Sequence, residues 1–167
     1  DIEQYRSFIR WRAGPVWEDI LSLYPADDLT SLRASFVAYF TDSTFLLSTR
    51  DVVEHALSEA IETYVYRFDY ERAHTLIPGA YHVAEVDIVF GQVDSSTDVR
   101  MSEKTMAYWV NFARTGVPNQ PGLVRWPKYD EGQAFIHLDV NCTVASGFVT
   151  GRAAALSEVL GSIGQGS

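Results

Sequence analysis

The sequence predicts an α/β fold, and three observations carry that prediction. Apolar residues recur with the helical period across residues 16–60 and again across 101–115. Between and after those stretches lie two short runs, TYVYRFDY and QAFIHLDV, in which aromatic and β-branched side chains alternate with polar ones. The composition, 47% hydrophobic and 13% aromatic over 167 residues, is that of a chain with a sizeable core, since folding at this length buries about 70% of the extended chain's surface.

The first helix follows Gly14 and Pro15. In VWEDILSLYP the residues Val16, Trp17, Ile20, Leu21 and Tyr24 share one face before Pro25 ends the run. The Asp27-Asp28 pair offers an N-cap for a second helix, DLTSLRASFVAYF, where Leu29, Leu32, Phe36, Val37 and Phe40 keep the period. Asp42 and Ser43 then punctuate the chain and can cap a third, STRDVVEHALSEAIE, with Val52, Val53, Ala56, Leu57 and Ala60 inward. Thr63 to Asp69 reads as a strand, followed by a loop with Pro78, Gly79 and His82 and the apolar, acidic stretch VAEVDIVFG. A helix over Met101 to Thr115 places Met106, Trp109, Val110 and Ala113 on one stripe; Ser102 can cap it, Gly116 can terminate it and Pro118 blocks its continuation. Residues 133–140 alternate like an edge strand, TVASGFV offers another, and GRAAALSEVL closes the chain as a helix. No repeat or linker appears, and the Gly-Ser tail from Gly161 is expected to fray.

The charge balance limits the partners. With 13 Lys plus Arg against 22 Asp plus Glu, the chain carries a formal charge of −9, which opposes phosphate backbones and anionic lipid, so no nucleic-acid partner is expected. No apolar run approaches the roughly 18 residues of a membrane span, so a soluble chain is expected. Residues 1–14, DIEQYRSFIRWRAG, open on acids and lack the apolar centre of a signal peptide; a start internal to a longer protein is the expectation. Cys142 is the only cysteine, which excludes an intrachain disulfide and a thiolate cluster and leaves a secreted or a cytoplasmic location open. Asn141-Cys142-Thr143 fits the N-glycosylation acceptor pattern.

Catalysis by a serine needs a hydroxyl on a strained turn, an imidazole, a carboxylate to orient it, and backbone donors for the oxyanion. The sequence has no G-x-S-x-G and no Gly-Gly pair. It does have His82, with apolar neighbours on both sides in GAYHVAEVDIVFG. Read from spacing alone, His82 is either a general base following a strand or a loop histidine packed against Tyr81 and Phe90. His55, His74, His82 and His137 have no zinc-ligand spacing and HExxH is absent, so no metal is expected. His55 and His137 read as solvent-facing. Trp109 and Phe112, like Tyr64, Tyr66 and Phe68, read as packing residues.

GAYHVAEVDIVFG, MAYWVNFARTGVPN, WPKYD and FIHLD, in that order and spacing, resemble the C-terminal signature of the type B carboxylesterase and cholinesterase family. The DSTF stretch and the YVYRFDY strand resemble what precedes it. The similarity runs from about Leu21 to Asp139, and it implies that residues 1–167 are the C-terminal segment of a single α/β-hydrolase domain: late strands of the central sheet with flanking helices. Carried over, His82 matches the family's catalytic histidine, and Glu85 matches a buried acid near the active site, with a helix-start acid as its other reading. Val83 stands where the family usually has glycine or alanine, and Ser48 where a proline is expected after DSTF.

The resemblance implies a carboxylic ester hydrolase that works through an acyl-enzyme, needs no cofactor and takes a small-molecule ester. The family's Asp-Glu-Gly tripeptide is absent, and neither Glu3 nor Glu18 sits in such a context. Serine, acid and oxyanion glycines are therefore expected on an N-terminal portion of the same hydrolase, and this chain alone is expected to be inactive. Phe36, Phe40, Phe45 and Leu46 are candidates for one wall of the substrate pocket, with core packing as the other reading. The alternative function is a non-catalytic binding or adhesion module of the same fold family. A third is an unproductive fragment with exposed sheet edges.

Overall fold

The computed structural model describes residues 1–72, 79–149 and 151–163. Two compact units make up the chain, Asp1–Ser58 with Val149–Ser167, and Glu59–Phe148.

The first unit is helical. Helix α1 (Ile2–Ala13) starts where the Asp1 carboxylate accepts the Gln4 N–H at 2.8 Å, and Gly14 ends it at φ 57°. A tight turn at Gly14–Val16 leads to α2 (Trp17–Leu23), and α3 (Leu29–Phe40) is capped by Asp28 as the sequence predicts. Asp42 and Ser43 do not interrupt the chain there. Thr41–Leu46 instead continue as a π-helical segment into α4 (Leu47–Ser58), and the Asp42 carboxylate accepts from the Tyr24 hydroxyl at 2.8 Å and from Arg152 at 3.2 Å. Arg152 belongs to the last helix of the chain, Gly151–Ile163, which returns to pack Leu156 among Ile9, Ile20, Tyr24, Tyr39 and Leu47.

Two faces differ from the expected ones. Helix α3 buries Ser35 and Tyr39, because the Ser35 hydroxyl reaches the Pro25 carbonyl at 2.5 Å and Tyr39 meets Tyr24 edge-on at 5.4 Å. Phe36, Val37 and Phe40 are left exposed, Val37 at 56%. Helix α4 buries Val53, while its neighbour Val52 is 69% exposed.

Among the described residues the second unit holds a three-stranded sheet and two helices. Strand β1 (Tyr66–Phe68) pairs parallel with β2 (Phe135–Leu138), which pairs antiparallel with β3 (Thr143–Ala145). FIHL is thus the central strand and not an edge, which explains the burial of Phe135, Ile136 and Leu138. A parallel pair needs a long crossover, and this one carries α5 (Ala84–Val89) and α6 (Ser96–Thr115).

Helix α6 is capped by Ser95, one turn and more before Ser102. Its inward face is Asp98, Met101, Ser102, Thr105 and Tyr108, offset from the expected stripe, so that Val110 is 46% exposed. Polar groups set this rotation. The Ser102 hydroxyl donates to the Ile88 carbonyl at 2.6 Å and the Tyr108 hydroxyl to the Val124 carbonyl at 2.6 Å, both requiring those side chains inside. Gly116, at φ 75°, closes the helix as predicted. Ile88, Met101, Tyr108, Trp126, Ile136 and Leu138 form the core of this unit. No helix among the described residues is long and apolar enough to cross a membrane.

Candidate active site

His82 lies in a tight turn, not at a strand end. The turn is closed by the Ala84 N–H on the Tyr81 carbonyl at 3.0 Å, and α5 starts two residues after the histidine. His82 is exposed, and so is Phe90, at 71%. Between His82 and the helix, Val83 adopts φ 66° and ψ 10°. A left-handed conformation at a β-branched residue costs about 1–3 kcal/mol. Of the glycine or alanine that the family resemblance leads one to expect at this position, glycine would meet no Cβ penalty there.

Glu85 sits in the first turn of α5, the place where a carboxylate is favoured by the helix dipole. Its Oε1 also accepts a long hydrogen bond from the Tyr66 hydroxyl of β1 at 3.5 Å. Burial, and then the Glu85 charge, push the Tyr66 phenol up to about 12, so that it stays a donor to the carboxylate through neutral pH. Glu85 is thus a half-buried helix-start acid that also links α5 to β1.

Behind α5 lies a charge cluster that sequence reasoning did not find. Arg72 places Nη1 2.9 Å from Asp87 Oδ2 on α5, Nη2 3.4 Å from the Gln92 carbonyl and 3.8 Å from Asp94, and Nε 3.6 Å from Asp98 Oδ2 on α6. Asp98 is 3% exposed and takes the Tyr70 hydroxyl at 2.5 Å. Burial alone would raise its carboxyl; hydrogen bonds from Tyr70 and Ser95 and the Arg72 guanidinium override that and hold it below the usual carboxylate range. Nothing in the local pattern announces this cluster, because its members meet only when α5 and α6 fold back beside β1.

A second histidine departs from expectation. His137 is half-buried and its Nδ1 pairs with the Asp69 carboxylate, which Arg67 also holds at 2.8 Å. The parallel register of β1 on β2 places His137 beside Arg67, information that alternation alone does not contain. Above the sheet, Tyr64, Tyr66, Tyr108, Trp109, Phe112 and Trp126 line a cleft of about 200 Å³, with Tyr66 common to this wall and to Glu85.

Three of the pocket candidates of the first unit, Phe36, Phe40 and Phe45, make ring contacts with one another, and Phe36 also meets Tyr5 and Phe8. Phe36 and Phe40 stack at 6.3 Å, and Phe40 meets Phe45 edge-on at 5.9 Å; all three are exposed and Leu46 is half-buried. Asn141 is exposed in the turn between β2 and β3, with the hydroxyl residue of the acceptor pattern, Thr143, opening β3. His55 is exposed, as expected.

A profile of the carboxylesterase family matches residues 12–155. The chain belongs to the carboxylesterase family. Within that family it is similar to carboxylesterase 4A of Bos taurus, 29% identical over 138 residues that make up 77% of this chain and 25% of the relative. It is also similar to a medium-chain fatty acyl-CoA hydrolase precursor of Anas platyrhynchos, 30% identical over 69% of this chain and 22% of the relative. A solved PNB esterase structure superposes with a TM-score of 0.69 at 25% identity, covering 96% of this chain and 33% of the esterase. Helices around a small mixed sheet thus form part of an α/β-hydrolase fold. This carboxylesterase-family chain spans about a quarter of the length of the curated relatives it matches.

Proposed function

We propose that residues 1–167 are the C-terminal segment of a carboxylic ester hydrolase and supply its proton-transferring histidine, His82. The observation that carries this reading is an exposed imidazole in a closed turn, three residues before an acid tied to the sheet, inside the stretch that matches the carboxylesterase family. A ring that must accept a proton from a hydroxyl on another part of the polypeptide has to face outward from its own part.

In this mechanism a serine outside the stretch attacks the ester carbonyl carbon while His82 takes the hydroxyl proton. Collapse of the tetrahedral intermediate breaks the carbon–oxygen bond to the alcohol, and His82 returns the proton to the departing alkoxide. Water then repeats the sequence on the acyl-serine and frees the acid. Serine, orienting acid and oxyanion donors come from the N-terminal portion, so the chain by itself has no turnover. Phe36, Phe40, Phe45 and Leu46 offer an apolar wall to the substrate, and Asn141 is the position open to glycosylation.

The test is pre-steady-state kinetics of the full-length protein with a nitrophenyl ester. The expected record is a burst of nitrophenolate of about one equivalent followed by slower turnover. A folded full-length protein that releases none would overturn the hydrolase reading in favour of a binding module.

A further inference from the structure

We infer that Arg72 is a positioning residue for His82, because it fastens Asp87, on the short helix that starts two residues after the histidine, to Asp98 on α6. The inference rests on the reading of His82 as the proton carrier. Helix α5 is only six residues long and begins from a strained Val83, and so short a helix does not hold itself together in water. Its direction, and with it the aim of the turn before it, has to be set by what grips it from outside.

Beside the burial of Ala84 and Ile88, three polar grips are present among the described residues. The Tyr66 hydroxyl holds Glu85 at the start of α5, the Ser102 hydroxyl holds the Ile88 carbonyl near its end, and Arg72 holds Asp87 between them. The first is long and the second fixes only main chain. Arg72 is the charged grip, and its side chain is 12% exposed, so solvent screens the pair less than it would at the surface. Its geometry is asymmetric. Nη1 and Nη2 make the hydrogen bonds to Asp87 and Gln92 on the α5 side, whereas the buried Nε makes none and faces Asp98 by charge alone at 3.6 Å. The guanidinium is thus anchored by α6 and the Tyr70–Asp98 pair, and it orients α5. Since misplacing a catalytic group by about 1 Å costs about 100-fold in rate, a clamp on the helix that follows the ring acts on kcat.

Asp87→Asn is the decisive variant. The Asp87 side chain is 45% exposed, so its loss removes the grip on α5 yet leaves Asp98 paired with Arg72 and Tyr70. In the full-length protein it should lower kcat on a nitrophenyl ester about tenfold with KM within about twofold and a thermal midpoint within about 2 °C of the wild type. Arg72→Lys, which keeps a charge without the fork, should retain more of kcat than Arg72→Gln; where Arg72→Gln fails to fold, Asp87→Asn decides alone. Unchanged kcat per folded molecule in Asp87→Asn overturns the inference, whether or not stability falls. His82→Ala in the same assay separates the two levels: if it is inactive while Asp87→Asn is normal, only the clamp is wrong, and if it is fully active, the reading of His82 is wrong.

Discussion

Replacing His82 by alanine in the full-length protein is expected to lower kcat/KM for an activated ester by about 10,000-fold or more, the range seen when the base of a serine, histidine and acid set is removed. The loss should come with almost no change in stability. The ring is exposed, so no core contact disappears and the thermal midpoint should move by less than about 2 °C. That split between activity and stability distinguishes a proton carrier from a packing residue. Steady-state kinetics with a parallel thermal melt measures both; a variant that keeps more than about a tenth of the wild-type kcat/KM would remove His82 from the reaction.

The second large effect is on stability. Asp98→Ala is expected to cost about 3 kcal/mol or more, since it strips a buried pair of one partner and leaves the other uncompensated. Tyr70 loses its acceptor and Arg72 its charge partner on α6. The sign of the pH dependence follows from the carboxyl being held below its usual value in the fold. Its stabilisation is fully present above the ordinary carboxylate range and fades as pH falls through the lowered folded value, so the wild type should lose stability on acidification below about pH 4. Asp98→Ala should flatten that limb. Urea unfolding followed through Trp109 and Trp126, which both pack in this unit, reads the effect at pH 7 and at pH 3. Equal stability of variant and wild type at pH 7 would show that the cluster is neutral.

What the sequence revealed depended on how local the deciding interaction is. Asp28 before α3 and Gly116 after α6 were legible because a cap acts within one turn. Helix α1 does not show in the hydropathy pattern, although Asp1 and Gln4 form a capping box, since Arg6, Arg10 and Arg12 dilute its apolar stripe. The buried faces of α3 and α6 were misjudged for a different reason. Helix α3 is apolar on several sides, and the choice among them was made by Ser35 and Tyr39 finding partners in other elements. On α6 it was made by Ser102 and Tyr108, polar side chains that hydropathy counts against burial.

The same limit governs the site. His82 and Glu85 lie in one short segment, and the resemblance of that segment to the carboxylesterase family singles them out together. The Arg72 cluster and the His137–Asp69 pair require the register of β1 on β2 and the packing of α5 on α6, which no local spacing encodes. Val83 is the intermediate case: its departure from the glycine or alanine of the resemblance is visible in the sequence, whereas its positive φ beside the histidine is visible only in the fold.

The most direct test of the central claim is to treat the full-length protein with a fluorophosphonate and map the adduct by peptide mass spectrometry, with and without His82→Ala. One labelled serine is expected, lying outside residues 1–167, with labelling that is lost when the imidazole is removed. A label on a residue within 1–167, or labelling at the same rate without His82, would contradict it.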